Sequence, residues 1–322
     1  MLMPSIGAAA RAGLIVAPIA ATALPSARKL RRFNSAIDEV MRSTIPDGVL
    51  LRSRLVSVTD GRLYKRATPS AKSRDARPLW YVGQGVSTFA GPLNRNARHS
   101  HSVPVLLTGL YGSFRLRTGE GRWLTCSMAL VPAGVPYEFD MAGEPLSVIY
   151  LEPSIAGADA LAPLVPDARE SGRILIGNGP ETYGLRALYE DQESGTWAGE
   201  ALADLLRFAT PRARRAIDPR IARVLRDLQD CPEEKISAKE SADSIGLSSS
   251  RFQHLFAAEV GVPYRRYRAW QRMLRAISEI GTGANFTTAA HTAGYADQAH
   301  FANHFRRLFG ASASPSMTDI RG

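Results

Sequence analysis

"TAAHTAGYADQAHFANHFRRLFG", residues 288–310, decides how the C-terminal third of this 322-residue chain folds. Phe301, Phe305 and Leu308 stand at i, i+4 and i+7 with Phe309 beside them, so the segment from Gln298 onward is a helix with one buried face. Ahead of it, Gly294 marks a turn and Asp297 is a natural N-cap. The same order occurs in "SADSIGLSSSRFQHLFAAEVG", residues 241–261. Ala242 precedes Gly246 by four, as Ala290 precedes Gly294. Leu247 and Tyr295 follow the glycines, Phe252 and Phe256 match Phe301 and Phe305, and Gly261 matches Gly310. The second turn is one residue longer.

Each unit therefore reads as short helix, glycine turn, polar cap and longer helix, which is the helix-turn-helix plan. Ser248 caps the first long helix as Asp297 caps the second. An ordinary bundle of helical hairpins has no need of two matched units with polar outer faces. With the phenylalanines inward, Ser250, Arg251, Gln253 and His254 point outward from the first unit. His300, Asn303, Arg306 and Arg307 do so from the second, with Gln298 at its exposed N-terminal end. Asn and Gln can bond N6 and N7 of adenine, and Arg can bond O6 and N7 of guanine. Such a helix can read base edges in a major groove while neighbouring cations hold phosphates.

Between the units lies "PYRRYRAWQRMLRAISEI", residues 263–280. Tyr267, Trp270, Leu274 and Ile277 make its apolar stripe, and Arg265, Arg266, Arg268, Arg272 and Arg275 decorate the rest. Arg268 and Arg272 are the expected phosphate contacts. As a helix this connector is a rod of roughly 25 Å, shorter than one duplex turn of about 34 Å. Two reading helices on it are expected to enter successive major grooves, with some bending of the DNA.

Upstream the pattern is β-rich. In "SFRLRTGEGRWLTC", residues 113–126, Phe114 and Leu116 alternate with Arg115 and Arg117, and the glycines supply a hairpin turn before Trp123. "ALVPAGVPYEFD", 129–140, is a strand broken by two prolines and a glycine, a barrel corner. "LSVIYLEP", 146–153, is a buried strand closed by Pro153. Helical periodicity returns in "YGLRALYE" and "GEALADLLRFA", and "TPRARRAIDPR", 210–220, reads as a linker. Residues 1–77 show no sustained period; a helix near 28–43 and a strand near 49–58 are expected within a poorly ordered leader. The domains expected are thus this leader, a β-rich domain over 78–210, a linker over 211–220 and a helical domain over 221–322.

Charge follows the same division. Residues 1–78 hold 14 Lys and Arg against 5 Asp and Glu, residues 79–210 hold 9 against 14, and residues 211–322 hold 17 against 11. A basic C-terminal third behind an acidic middle suggests that one domain meets a polyanion and the other does not. Cys126 and Cys231 lack CxxC spacing, so neither a zinc site nor a disulfide framework is indicated. Two reduced thiols fit a cytoplasmic protein. Leu14–Leu24 is apolar but precedes its basic cluster, the reverse of a secretory signal. No apolar run reaches the roughly 18 residues of a membrane span.

The pieces "LSSSRFQHLFAAEVGVPYRRY" and "AAHTAGYADQAHFANHFRRLFG" resemble the DNA-binding domain of AraC/XylS-type transcription regulators, over about 217–317. The second has that family's A-x-x-x-G-[FY] opening and its paired-phenylalanine helix. After Gly310 the chain departs from the family: "GASASPSMT" is two residues longer and lacks the usual Tyr-Arg. Alignment with the family makes Ser250, Gln253, His254, Gln298, His300 and Asn303 the base-facing positions. The resemblance implies an α+β chain: a cupin-like β-barrel with flanking helices, then an all-α domain with two helix-turn-helix units. It also implies a homodimer joined through the helices at 180–209, promoter DNA and RNA polymerase as partners, a small-molecule effector, and no cofactor.

His99, His101, Trp123 and Tyr137 are the candidate effector-pocket residues. His99 and His101 form the H-x-H pair that opens a metal site in catalytic cupins. Here no Glu follows before Glu120, and Tyr137 stands where the second motif would place His, so at least two ligands of a metalloenzyme site are lacking. No nucleophile triad, P-loop or GxGxxG fingerprint is present. A non-enzymatic, ligand-responsive regulator is expected, with a ligand-independent DNA-bending protein as the rival.

Overall fold

The computed structural model describes residues 76–179, 183–209, 217–230, 236–317 and 320. The helix and strand expected at 28–43 and 49–58 lie outside the described residues. Of the leader, Ala76 is buried, and its carbonyl accepts a hydrogen bond from the Tyr189 hydroxyl.

The middle of the chain forms β1 (Leu79–Val82), β2 (Val86–Pro92), β3 (Arg95–His99), β4 (Val105–Gly109), β5 (Phe114–Thr118) and β6 (Leu124–Cys126). β7 (Met128–Val131), β8 (Tyr137–Asp140), β9 (Pro145–Leu151), β10 (Arg169–Ser171) and β11 (Ile174–Gly177) follow. They make two antiparallel sheets, ordered β1-β2-β9-β4-β7-β11-β10 and β3-β8-β5-β6. The expected cupin-like barrel is not closed: among the described residues no ladder joins the two sheets, and the chain passes between them at corners. The segment read as a corner is one: β7 belongs to the larger sheet and β8 to the smaller, with Pro132 to Pro136 between. Prolines cannot donate to a ladder, so strand pairing ends there. The predicted hairpin pairs Phe114 with Cys126, and its return strand starts at Leu124.

Strand alternation explains how the larger sheet buries both faces. Val105, Leu107, Val148 and Tyr150 point into one core with Phe114, Leu116 and Phe139 of the smaller sheet. Leu106, Ile149 and Leu151 point the other way, onto α1 (Tyr183–Glu190) and α2 (Ala198–Ala209), through Leu188, Tyr189, Trp197 and Leu202. The helices expected at 180–209 thus cover the outer sheet face.

The remaining elements are α3 (Pro219–Asp230), α4 (Ala238–Ser244), α5 (Ser249–Val260), α6 (Tyr264–Gly281), α7 (Phe286–Thr292), α8 (Gln298–Phe309) and α9 (Ala313–Met317). Of the stretch read as a linker, Pro219 and Arg220 already belong to α3, while residues 210–216 lie outside the described set. Turn glycines Gly246 and Gly294 take φ of +68° and +77°, where a Cβ would be strained. Ser248 accepts from the Arg251 amide and Asp297 from the His300 amide, as their cap positions required. α6 is an 18-residue helix of about 27 Å. The buried faces of α5, α6 and α8 share one core with the sheets.

The segment after Gly310, where the sequence leaves the family pattern, packs against the β-domain. α9 buries Ala313, Ser316 and Met317, and the Ser316 carbonyl accepts from the Trp80 indole at 3.2 Å.

Candidate nucleic-acid interface and the chamber behind it

On α5, Phe252, Phe256 and Val260 are buried while Ser250, Arg251, Gln253 and His254 are exposed. On α8, Phe301, Phe305, Leu308 and Phe309 are buried while Gln298, His300, Asn303, Arg306 and Arg307 are exposed. Ala299 is exposed and Ala302 half-buried, so nothing bulky keeps that helix from a flat surface. Gln298 is held by the Thr287 hydroxyl, which donates to its Oε1 at 3.2 Å, and the Gln253 amide donates to Ser249. These short tethers fix the orientation of both exposed amides.

A cleft of about 770 Å³ runs between α6 and α8, lined by Arg265, Arg272, His300, Asn303 and Arg307 among others. Arg265 is exposed there, a position the sequence reading placed only among the decorating arginines. Arg272 has a different setting from the one expected. Its guanidinium sits 4.4 Å from the Tyr295 ring centroid, and its Nε is buried without a hydrogen-bond partner. Tyr295 in turn shares a 2.6 Å hydrogen bond with His304 Nδ1. Burial, then Arg272, His300 and Arg307, pushes the His304 imidazole down to about 4. Arg272 therefore packs α6 against the turn that precedes α8, and Arg268 is half-buried on the same helix.

His99, His101 and Tyr137 do come together. Their ring centroids lie 4.5 Å (His99–Tyr137), 4.9 Å (His99–His101) and 5.8 Å (His101–Tyr137) apart. All three are buried and line a chamber of about 30 Å³ with Trp80, Tyr150 and Phe309. His99 donates from Nδ1 to the Ala97 carbonyl at 2.7 Å, which assigns its tautomer. Burial pushes His99 down to about 4 and His101 well below its ordinary value, with His99 and Arg266 adding to the second shift. Burial raises the Tyr137 hydroxyl. Among the described residues no group of three or more His, Cys, Asp and Glu could hold a metal ion.

Trp123 is not part of this chamber. It lies against the guanidiniums of Arg95, Arg115 and Arg117, 4.8 to 5.5 Å from its ring. Those arginines pair with Glu138 and Asp140. Trp123 precedes β6 on the strand face opposite the core, so period-2 alternation turns it away.

Two features escaped the sequence reading. Phe305 and Phe309, assigned only to the helical core, also wall the chamber. Glu152, at the end of β9, is buried and accepts from Tyr267 (2.6 Å), Trp270 (2.7 Å) and Gln271 (3.0 Å) of α6 and from Gln229 (3.2 Å) of α3. Burial, against these four hydrogen bonds, raises its carboxyl. The signal was a lone acid closing the apolar run "LSVIYLEP", which required a buried set of donors. Arg266 completes the seam by donating to the Ser100 carbonyl at 2.6 Å.

Among known proteins, a helix-turn-helix domain family matches residues 241–316. No curated protein matches the chain in sequence. The solved structure of unsaturated fatty acid-bound ToxT from Vibrio cholerae superposes with a TM-score of 0.50 at 10% identity, covering 75% of this chain and 99% of that one. An AraC-type DNA-binding-domain regulator from Chromobacterium violaceum covers 31% of this chain and 89% of its own length, at 20% identity and a TM-score of 0.29. The ToxT likeness shows a shared fold: a β-domain with a helical domain behind it. Residues 241–316 are a helix-turn-helix domain, carried behind an antiparallel β-domain.

Proposed function

We propose that α5 and α8 read promoter DNA in successive major grooves, while the β-domain chamber holds a small-molecule effector that alters the reading. The observation that carries this is the pair of matched units, each with its phenylalanines buried and its amide and guanidinium side chains exposed. Ser250, Arg251, Gln253 and His254 are the contacts of the first unit. Gln298, His300, Asn303, Arg306 and Arg307 are those of the second, and Arg265 and Arg268 hold phosphates. A homodimer in the cytoplasm, recruiting RNA polymerase, completes the reading. ToxT, whose solved structure holds an unsaturated fatty acid, supports a ligand-responsive fold. The rival, a regulator needing no ligand, is favoured by one observation: the chamber has a volume of only about 30 Å³.

Footprinting the full chain on the DNA upstream of its own gene, with candidate metabolites added, tests the reading. Failure to protect any sequence over bulk DNA at physiological salt removes it. Gln298→Ala and Asn303→Ala should each cost about 1–3 kcal/mol at particular bases, measured by binding to a panel of single-base operator variants. Uniform weakening across the panel would show that these side chains do not read bases. Arg265→Ala should weaken every site alike and lower the salt slope by about 1. Because α6 is shorter than a duplex turn, circularly permuted sites should migrate as bent DNA.

A further inference from the structure

The chamber's chemistry narrows the effector. Its walls are mostly rings. Phe309 of α8 stands 5.7 Å from Trp80, 5.6 Å from His101 and 6.1 Å from Tyr150, centroid to centroid. Among the described residues no Lys, Arg, Asp or Glu lines it. A carboxylate or ammonium entering it would shed its water and meet no counter-charge, which is unfavourable by several kcal/mol or more. Burial keeps both imidazoles neutral at pH 7, so they supply no cation either.

Two polar atoms in the lining have no hydrogen-bond partner among the described residues: the Tyr137 hydroxyl and His101 Nδ1. Both side chains are buried, at 0% and 4% exposure. Buried polar groups are ordinarily paired, and an unpaired one costs about 1–3 kcal/mol. A ligand with a hydrogen-bonding group would recover that. Space is the obstacle, since about 30 Å³ accommodates one water. Phe89, Leu107, Tyr137, Phe139, Val148 and Tyr150 sit on strands held by ladders on both sides. Phe309 is instead the last residue of a helix, pinned to β3 by the Asn96 amide (2.7 Å to its carbonyl) and by the Ala97 amide to the Gly310 carbonyl (2.8 Å).

Resting on the regulator reading above, we propose that the chamber takes a small, uncharged, ring-bearing molecule with one hydrogen-bonding group, which replaces the Phe309 ring. Ligand entry and docking of the α8 C-terminus on β3 then exclude each other. The ligand favours the undocked state by the difference in its affinity for the two. The second reading helix is freed from the β-domain as the chamber fills.

The test uses the full chain and two probes of one shape, benzamide and benzoate, titrated at pH 7 with Trp80 and Trp270 fluorescence as the readout. Benzamide should bind at least roughly tenfold more tightly than benzoate, which would leave its charge unpaired. Tyr137→Phe removes an unpaired hydroxyl without changing the ring, and should weaken benzamide by roughly threefold or more. Phe309→Ala vacates the ring's space and should tighten benzamide by about tenfold. Benzoate binding as tightly as benzamide, or benzamide insensitive to Tyr137→Phe, would overturn the proposal even if Phe309→Ala does not fold. Binding of neither probe to the parent chain would overturn it as well. Footprinting without any probe is independent: specific protection combined with these failures leaves the DNA-reading function standing and removes only the effector class.

Discussion

Lowering the pH from 7 to 5 should destabilise the folded chain, with His99 alone contributing about 2 kcal/mol. The unfolded imidazole takes its proton near 6.5, while burial delays protonation in the folded chain until about 4. Between those values the unfolded chain binds more protons, so stability rises with pH across the window and is lost as pH falls through it. His101, also lowered by burial and enclosed by His99, Tyr137, Tyr150, Trp270 and Phe309, adds in the same direction. Glu152 opposes them. Its raised carboxyl takes a proton in the folded chain before the unfolded one does, so its contribution grows more favourable as pH falls. Urea unfolding at pH 7 and pH 5 measures the sum, and Glu152→Gln removes the opposing term. His101→Phe fills a ring-lined site with another ring and should reduce the pH dependence by about half. A flat profile in both the parent and Glu152→Gln would show that the imidazoles are not held neutral.

Glu152→Ala is expected to cost about 3–5 kcal/mol. The carboxylate is the shared acceptor for Tyr267, Trp270, Gln271 and Gln229. Removing it strands indole, phenol and amide donors in a dry seam, each unfavourable by about 1–3 kcal/mol if left unpaired. Glu152→Gln retains volume and one acceptor oxygen, so its cost should be smaller. Because the donors sit on α3 and α6 and the acceptor immediately after β9, the loss falls on the joint between the β-domain and the helices. Unfolding of Glu152→Ala should separate into two steps, and hydrogen exchange of the Trp270 indole should rise before that of β4. A loss under about 1 kcal/mol, with one cooperative step, would mean the seam does not depend on this carboxylate.

The helix-turn-helix units were legible because their signals are local. A glycine at positive φ, a capping Ser or Asp and phenylalanines at i and i+4 act within a dozen residues. Ser248, Asp297, Phe252 and Phe301 accordingly stand where the pattern placed them. The proline corner between β7 and β8 was legible for the same reason. The barrel was not, because closure depends on which edges pair across the molecule, and alternation in β4 and β9 says only that both faces are apolar. Trp123 was misplaced with the chamber because an aromatic residue beside a hairpin reads the same whichever face it takes. Three arginines on one side of it decided the matter.

Sequence by itself determined the two long helices of the helix-turn-helix units, their caps, their exposed amides and the apolar stripe of the connector. Those features follow from backbone propensity and helical period, which operate between near neighbours. Only the tertiary structure decided that Arg272 stacks on Tyr295, that Glu152 gathers donors from two helices, and that Phe309 closes a chamber walled by His101 and Tyr137. Each joins residues far apart in the chain. Their energy comes from excluding water at a shared surface, and no local pattern records which distant surface will meet which.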